Sequence, residues 1–363
     1  MDLIFPTKVV MLTLKSDVIQ RGEEESVILK LKGITGPEKS NYSFKTTYKI
    51  RPNKYLDDNV PEIEPTPSTS AGPSTSADII INVPITSTCD NFNLPKNKRK
   101  NRSPDSPCWD VSRVVLKSNN GSDYINANYM TGFDGRCKFI ATQEPMVTTF
   151  DDFWSMLWQE NSRIIVMLNV TKQESQPTSL QYFCVTQDHT TLKQFIIKEE
   201  CIRRESHYMH TVLSIVHRSS GEVRVIHHFK YFDWTETGVP DAGSFHEFLL
   251  AVNKQDQYYF KKALLPNQLP AGPIVVHGDM GVGRTAAFCV ADMCLYQIVH
   301  TATVSVPLMV LKARQQRQFS ISTLNHYIFI NSFVAFFLVA VKSNPAIFFE
   351  FRSHLGVIDA YLL

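Results

Sequence analysis

Phe150, Phe153, Trp154, Leu157 and Trp158 recur at i, i+3, i+4, i+7 and i+8, one apolar face that predicts an amphipathic helix. Directly downstream, Ile164 to Leu168 (IIVML) is a short unbroken apolar run of the kind that fills a strand buried on both faces. Ile274-Val275-Val276 is a second such run, followed by a glycine-containing turn and a helical stretch from Arg284 to about Ile298. Helices alternating with buried strands predict an α/β domain with a partly parallel sheet. Tyr327 to Val341 is apolar over 15 residues, short of the ~18–20 that span a bilayer, and is read as a buried helix with no membrane partner.

The first 56 residues hold strand-like runs (VVMLTL, VILKLK) but no motif. Residues 57–82 form a Pro/Ser/Thr-rich linker in which PSTSA at 67–71 recurs at 73–77. Such composition buries too little apolar surface to order itself, so a partly disordered N-terminal extension is expected. The globular domain is placed at residues 83–345, with a tail at 346–363.

Among 363 residues, 43% are apolar and 20% charged, enough for a sizeable core. A net charge of +2 gives no pull toward nucleic acid. Seven cysteines without a CxxC pair suggest neither a disulfide framework nor a zinc site; no metal or cofactor is called for, and a reducing, cytoplasmic setting is expected. The N-terminus has no basic n-region, and Pro6 and Lys8 break its apolar run, which reads against a secretory signal. The basic run Lys96 to Arg102 is read as a solvated structural stretch.

The chemistry concentrates in VHGDMGVGRT at 276–285, where a strand meets a helix through a glycine loop. Loop amides and the helix N-terminus suit an anion there, and Arg284 can offer a bidentate fork to a tetrahedral oxyanion. The residues expected to line it are Asp279, Met280, Gly281, Val282, Gly283 and Arg284.

His277, Gly281, Gly283, Arg284 and Thr285 stand in the register of a His-Cys-x5-Arg-Ser/Thr signature. KNR at 100–102, DYINANY at 123–129, FIATQEP at 139–145, DDFWSMLWQE at 151–160, a loop from Trp234 to GVP at 238–240, and QQR at 315–317 follow in order. By these motifs, over about residues 83–335, the chain resembles the classical protein tyrosine phosphatases. The wording of CDNFNLP and PCWD is most similar to the phosphatase-like proteins of bracoviruses. The resemblance implies a single domain with a twisted mixed sheet flanked by helices. It also implies catalysis through a cysteine thiolate, an aspartate acid, a stacking tyrosine and a water-positioning glutamine.

The residues depart from that pattern. Gly278 stands at the cysteine position and cannot be a nucleophile; Glu236, after Trp234-Thr235, replaces the aspartate acid. Ser103 replaces the stacking tyrosine, Ser322 the glutamine, His326 a second glutamine and Thr178 a lysine. Asp279 sets a carboxylate beside the anion site. Cys289 is read as core, and Asp110 with Arg113 as a structural pair. The expectation is an inactive relative that binds phosphotyrosine proteins of a host cell as a monomer and interferes with signalling. The alternatives are a scaffold that has lost phosphate binding and, third, a weak phosphatase using Glu236.

Overall fold

Ile140, Ile165 and Val275 point to one side of their strands, and Phe139, Ala141, Ile164, Val166, Ile274 and Val276 to the other, so apolar residues on both faces put these strands at the centre of a sheet. The computed structural model describes residues 10–12, 17–21, 24–28, 31–33, 87–117, 122–169, 182–183, 189–234 and 238–354. The chain divides into two compact units, residues 1–84 and 85–363. In the first, β1 (Val10–Leu12) pairs antiparallel with β4 (Leu31–Gly33), and β2 (Asp17–Arg21) with β3 (Glu24–Ile28). The linker at 57–82, and with it the expectation of disorder, lies outside the described residues.

The second unit begins with the short helix α1 (Asp90–Asn93). It then carries β5 (Arg113–Val115), β6 (Tyr124–Thr131), β7 (Cys137–Gln143), α2 (Phe150–Gln159), β8 (Ile164–Met167) and β9 (His189–Thr191). Next come β10 (Phe195–Arg204), β11 (Tyr208–His217), β12 (Val223–Tyr231), α3 (Ala242–Ala263), β13 (Ile274–Gly278) and α4 (Arg284–Thr301). Three helices close it: α5 (Val306–Gln316), α6 (Leu324–Ser343) and α7 (Ala346–His354). The nine strands run in the order β5-β6-β7-β13-β8-β12-β11-β10-β9. The four central strands β7, β13, β8 and β12 are mutually parallel, and the flanking pairs are antiparallel.

The two sheet faces bury separate cores. α2 sets Phe153, Trp154, Met156 and Leu157 against Ile140, Ile165 and Val275. On the other face α4 is buried on every side from Thr285 to Val299, which marks it as the central helix, enclosed by α3, α5 and α6. α6 is buried along one stripe only, Phe329, Ile330, Phe333, Val334 and Phe337, while Phe336 and Val339 are exposed. The expected buried helix is therefore half-buried. By length and composition alone α6 is also long and apolar enough to cross a membrane. Packing continues past residue 345, because α7 buries Phe351 against Phe337 and His246.

Asp110 and Arg113 do not form the expected pair. Asp110 accepts hydrogen bonds from the Thr88 hydroxyl, the backbone N–H groups of Asp90 and Asn91, and the Asn91 side chain, which fastens the segment before α1. Arg113 instead meets Asp123 at 2.8 Å, because β5 runs beside the start of β6.

Candidate functional site

The loop between β13 and α4 leaves the carboxyl end of a central strand, where α/β sheets place ligand crevices. Its path depends on Gly281, whose φ is +72° and whose added Cβ would lie 2.3 Å from the Thr142 carbonyl oxygen. Only glycine fits there.

Four consecutive loop carbonyls, Asp279 to Val282, are held by donors outside the loop. Asp279 O accepts from Glu144 N at 3.1 Å and Val282 O from Ile321 N at 2.9 Å. Arg317, fully buried, donates from Nε to Gly281 O at 2.6 Å and from Nη2 to Met280 O at 3.1 Å. Arg317 is itself aimed by the Asn128 and Asn126 side-chain oxygens at 2.8 and 3.0 Å. In a trans peptide the next residue's N–H points opposite to the carbonyl. The N–H groups of Met280, Gly281, Val282 and Gly283 therefore face the hollow of the loop, and none donates to another described residue. With the first turn of α4 they form a concave donor surface of the kind that binds anions.

Arg284 opens α4 and is the cation of this hollow. Its Nη1 meets Asp279 Oδ2 at 3.0 Å; the arginine side chain is 13% exposed and the aspartate 50%. A carboxylate of the chain itself thus occupies one edge of the guanidinium. Met280 is exposed beside it and Val282 is buried. At Gly283 an added Cβ would lie 2.5 Å from His326 Cε1, so the imidazole closes against the backbone. His326 shares a hydrogen bond with Thr323 Oγ1 at 2.8 Å and lies edge-on to Trp234. Burial, and then the charge of Arg284, push its pKa down to about 4, so it is neutral at pH 7.

His277 points away from the hollow. Its Nε2 lies 2.8 Å from the Tyr182 hydroxyl, which also reaches His228 Nε2 at 2.8 Å. Burial, followed by the charge of Arg102, pushes the pKa of His277 down to about 3. Gly278 ends β13, and its Cα faces Thr285. Ser103 is buried and accepts a hydrogen bond from Asp105 N at 3.0 Å, so its hydroxyl is used in its own turn. Ser322 is exposed. Glu236 and Thr178 lie outside the described residues. Cys289 is fully buried within α4, and burial raises its thiol pKa well above the usual range, so it offers no thiolate to the loop.

Two features escaped the sequence. QQR at 315–317 marks the family in the sequence, but nothing near it signals that Arg317 holds the loop carbonyls outward. The sequence sets Asp279 near the mouth; its pairing with Arg284, five positions on across a glycine turn, is a finding of the structure that this spacing could have signalled. Of the basic run, Lys100 meets Asp152 at 2.9 Å and Arg102 meets Glu144 at 2.8 Å. A cavity of about 450 Å³ opens elsewhere, lined by Asp134, Arg136, Lys138, Asp256, Phe260 and Tyr296 among others, with no residue of the loop in its wall. Among the described residues no group of three metal-ligating side chains converges.

Comparison with known proteins agrees with this geometry. The protein-tyrosine phosphatase family model matches residues 97–336. "Tyrosine phosphatase-like protein J1" of Microplitis demolitor bracovirus (isolate Webb) is 35% identical over 64% of this chain and 79% of its own length. "Probable tyrosine phosphatase protein N1" of the same virus is 37% identical over 69% and 79%. Human "Tyrosine-protein phosphatase non-receptor type 9" is 35% identical over 65% of this chain and 41% of its own length. A solved structure described as "Structural basis of PTPN18 fingerprint on distinct HER2 tyrosine phosphorylation sites" superposes with a TM-score of 0.59 at 27% identity, over 69% of this chain and 86% of that one. With two thirds of its length matched by the family model and its strand-loop-helix anion site in place, the chain belongs to the protein-tyrosine phosphatase family.

Proposed function

We propose that this chain is a pseudophosphatase, which binds phosphotyrosine proteins without hydrolysing them. One observation carries the reading: the loop keeps its inward amides and Arg284 while position 278, where the family resemblance sets the nucleophile, has no side chain. Binding needs donors and a cation, and both are present. Hydrolysis needs a nucleophile, whose loss lowers turnover on the order of a millionfold in a comparable hydrolase. No described neighbour replaces it, since His277 is turned away and Cys289 is sealed in the core.

In this reading the chain acts as a monomer in the cytoplasm of an infected host cell. It shields phosphorylated host proteins there, or competes with active phosphatases, and so interferes with host signalling. Its relatives among bracovirus phosphatases support that setting.

The ion pair between Asp279 and Arg284 favours a second reading, a scaffold whose anion site is closed by its own carboxylate. A weak phosphatase using Glu236 as acid with a water nucleophile is a third. One experiment separates them. A labelled phosphotyrosine peptide and its unphosphorylated twin are titrated with native protein and Arg284→Met, beside an aryl phosphate assay. Selective binding that vanishes in Arg284→Met, without turnover, is the expected result. Equal affinity for both peptides refutes phosphotyrosine binding and leaves the scaffold, whereas turnover that Arg284→Met abolishes identifies an enzyme.

A further inference from the structure

We propose that the cavity of about 450 Å³ beside the amino ends of β7 and β13 binds a small organic monocation, a primary ammonium group carried on an apolar arm. This goes beyond the reading of the phosphate loop and does not rest on it. The loop leaves the carboxyl end of β13. The cavity is walled by the β6–β7 turn, the second half of α3, residues 270–273 just before β13, and Tyr296 of α4.

The fixed charges around the cavity are paired, except one. Lys138 spends all three ammonium hydrogens, on Asp292 Oδ2 at 2.7 Å, Asp292 Oδ1 at 2.9 Å and Asn253 Oδ1 at 2.9 Å. Arg136 donates from Nε to Asp134 and reaches the Tyr296 hydroxyl at 3.4 Å. Asp256 has no hydrogen bond or ion pair with any described residue. Burial pushes its carboxyl above the usual range, and the charge of Lys138 offsets this only in part. Its neighbour Gln257, also in the wall and 9% exposed, has a buried Oε1 without a hydrogen-bond partner. Two successive residues of α3 thus hold acceptors that lack donors. Three carboxylates, Asp134, Asp256 and Asp292, stand against two cations, so one negative charge is left over. A guest that brings N–H donors and one positive charge meets both demands, and an anion meets neither.

The rest of the wall selects an organic cation. Arg136 Cζ lies 5.9 Å from the Phe260 ring centre and Lys138 Nζ 5.8 Å from that of Tyr296, so both rings already turn their faces toward positive charge. Leu264 and Pro270 add apolar surface for the arm. The volume lies within the ~300–1,000 Å³ of small-molecule sites. A bare metal ion has no such fit, since among the described residues no three ligating side chains converge.

The test is isothermal titration calorimetry of the full-length protein with phenethylammonium chloride and with its neutral twin, 2-phenylethanol. It is run at about pH 8, where an alkylammonium, with a pKa near that of lysine at about 10, keeps its charge. The expected result is that the ammonium binds at least roughly tenfold tighter than the alcohol. This comparison needs no variant. Asp256→Asn keeps the shape and removes the charge. It should bring the ammonium to within about threefold of the alcohol, with Tm level or higher because a desolvated carboxylate is gone. Equal affinities for the two probes in native protein, or an ammonium affinity untouched by Asp256→Asn, overturn the proposal. Phosphotyrosine peptide titrations on the same proteins keep the two readings apart. Native protein that binds no phosphotyrosine peptide but still prefers the ammonium supports the cavity and sinks only the reading of the loop.

Discussion

Replacing Asp279 by asparagine should convert the loop from a partly self-occupied site to an open one. The carboxylate lies 3.0 Å from Arg284 Nη1, and a phosphoryl dianion must displace or share that contact. Releasing a half-exposed ion pair of this type costs at most about 1 kcal/mol. The larger effect is repulsion. One negative charge about 5 Å from a dianion, at the dielectric constant of water, opposes binding by about 1.7 kcal/mol, and salt reduces this. Together they amount to about 2 kcal/mol, or a roughly thirtyfold tighter Kd for Asp279→Asn. Fluorescence anisotropy of a labelled phosphotyrosine peptide reads this directly. Repeating the titration at about 0.05 and 0.3 M salt should shrink the gain, because exposed charges are screened. An Asp279→Asn protein that binds within twofold of native, while Arg284→Met abolishes binding, refutes the idea that Asp279 competes for the site.

Other outcomes follow from the same geometry. Gly278→Cys should introduce slow aryl phosphate turnover, faster when combined with Asp279→Asn, and a double variant with no phenol burst contradicts the placement of the nucleophile at 278. Gly281→Ala forces a Cβ to 2.3 Å from Thr142 O at φ +72°, so calorimetry should show a loss of about 2–4 kcal/mol, a fall of roughly 5–10 °C in Tm. Arg317→Met strands two loop carbonyls and two asparagine oxygens, and should lower both Tm and peptide affinity; a loss of affinity alone would make Arg317 a ligand contact and not a support. His277 at about 3, His326 at about 4 and His227 at about 4 all lie below the ~6.5 of an unfolded histidine. The unfolded chain therefore binds more protons, and denaturant midpoints should be level above pH 6.5 and fall as pH drops from 6.5 toward 4. A midpoint that rises in that window contradicts the burial of these imidazoles.

The central strands and their helices were legible because burial on both faces leaves continuous apolar runs, as at Ile164 to Leu168 and Ile274 to Val276. The β10–β12 meander was not. Its strands interleave Lys198, Glu199, Arg203, His210, His217 and Arg224 with their apolar residues, so no long apolar run announces it, and the alternation is broken by a register shift between Glu199 and Cys201. The loop was legible from its glycine turn, the helix start at Arg284 and the resemblance to the phosphatase signature together. Its support was not, since Arg317 reaches Gly281 and Met280 from 36 and 37 positions away, and no local pattern encodes such a contact. The supposed pairing of Asp110 with Arg113 failed for a local reason. A strand begins at Arg113 and turns its side chain toward Asp123, whereas Asp110 stays behind to bind the segment at 88–91.

Nothing that shapes the loop depends on residue 278. Arg317, Asn126 and Asn128 hold the carbonyls outward, and Gly281 sets the turn, whichever side chain stands at the end of β13. Glycine and cysteine codons differ by one base, GGU against UGU. Where Gly278 is encoded by GGU or GGC, a single base change would set a thiol at the end of β13, against donors that are already aligned. The capacity to hold an anion and the identity of residue 278 are therefore separable in sequence space, for as long as the buried arginine is kept.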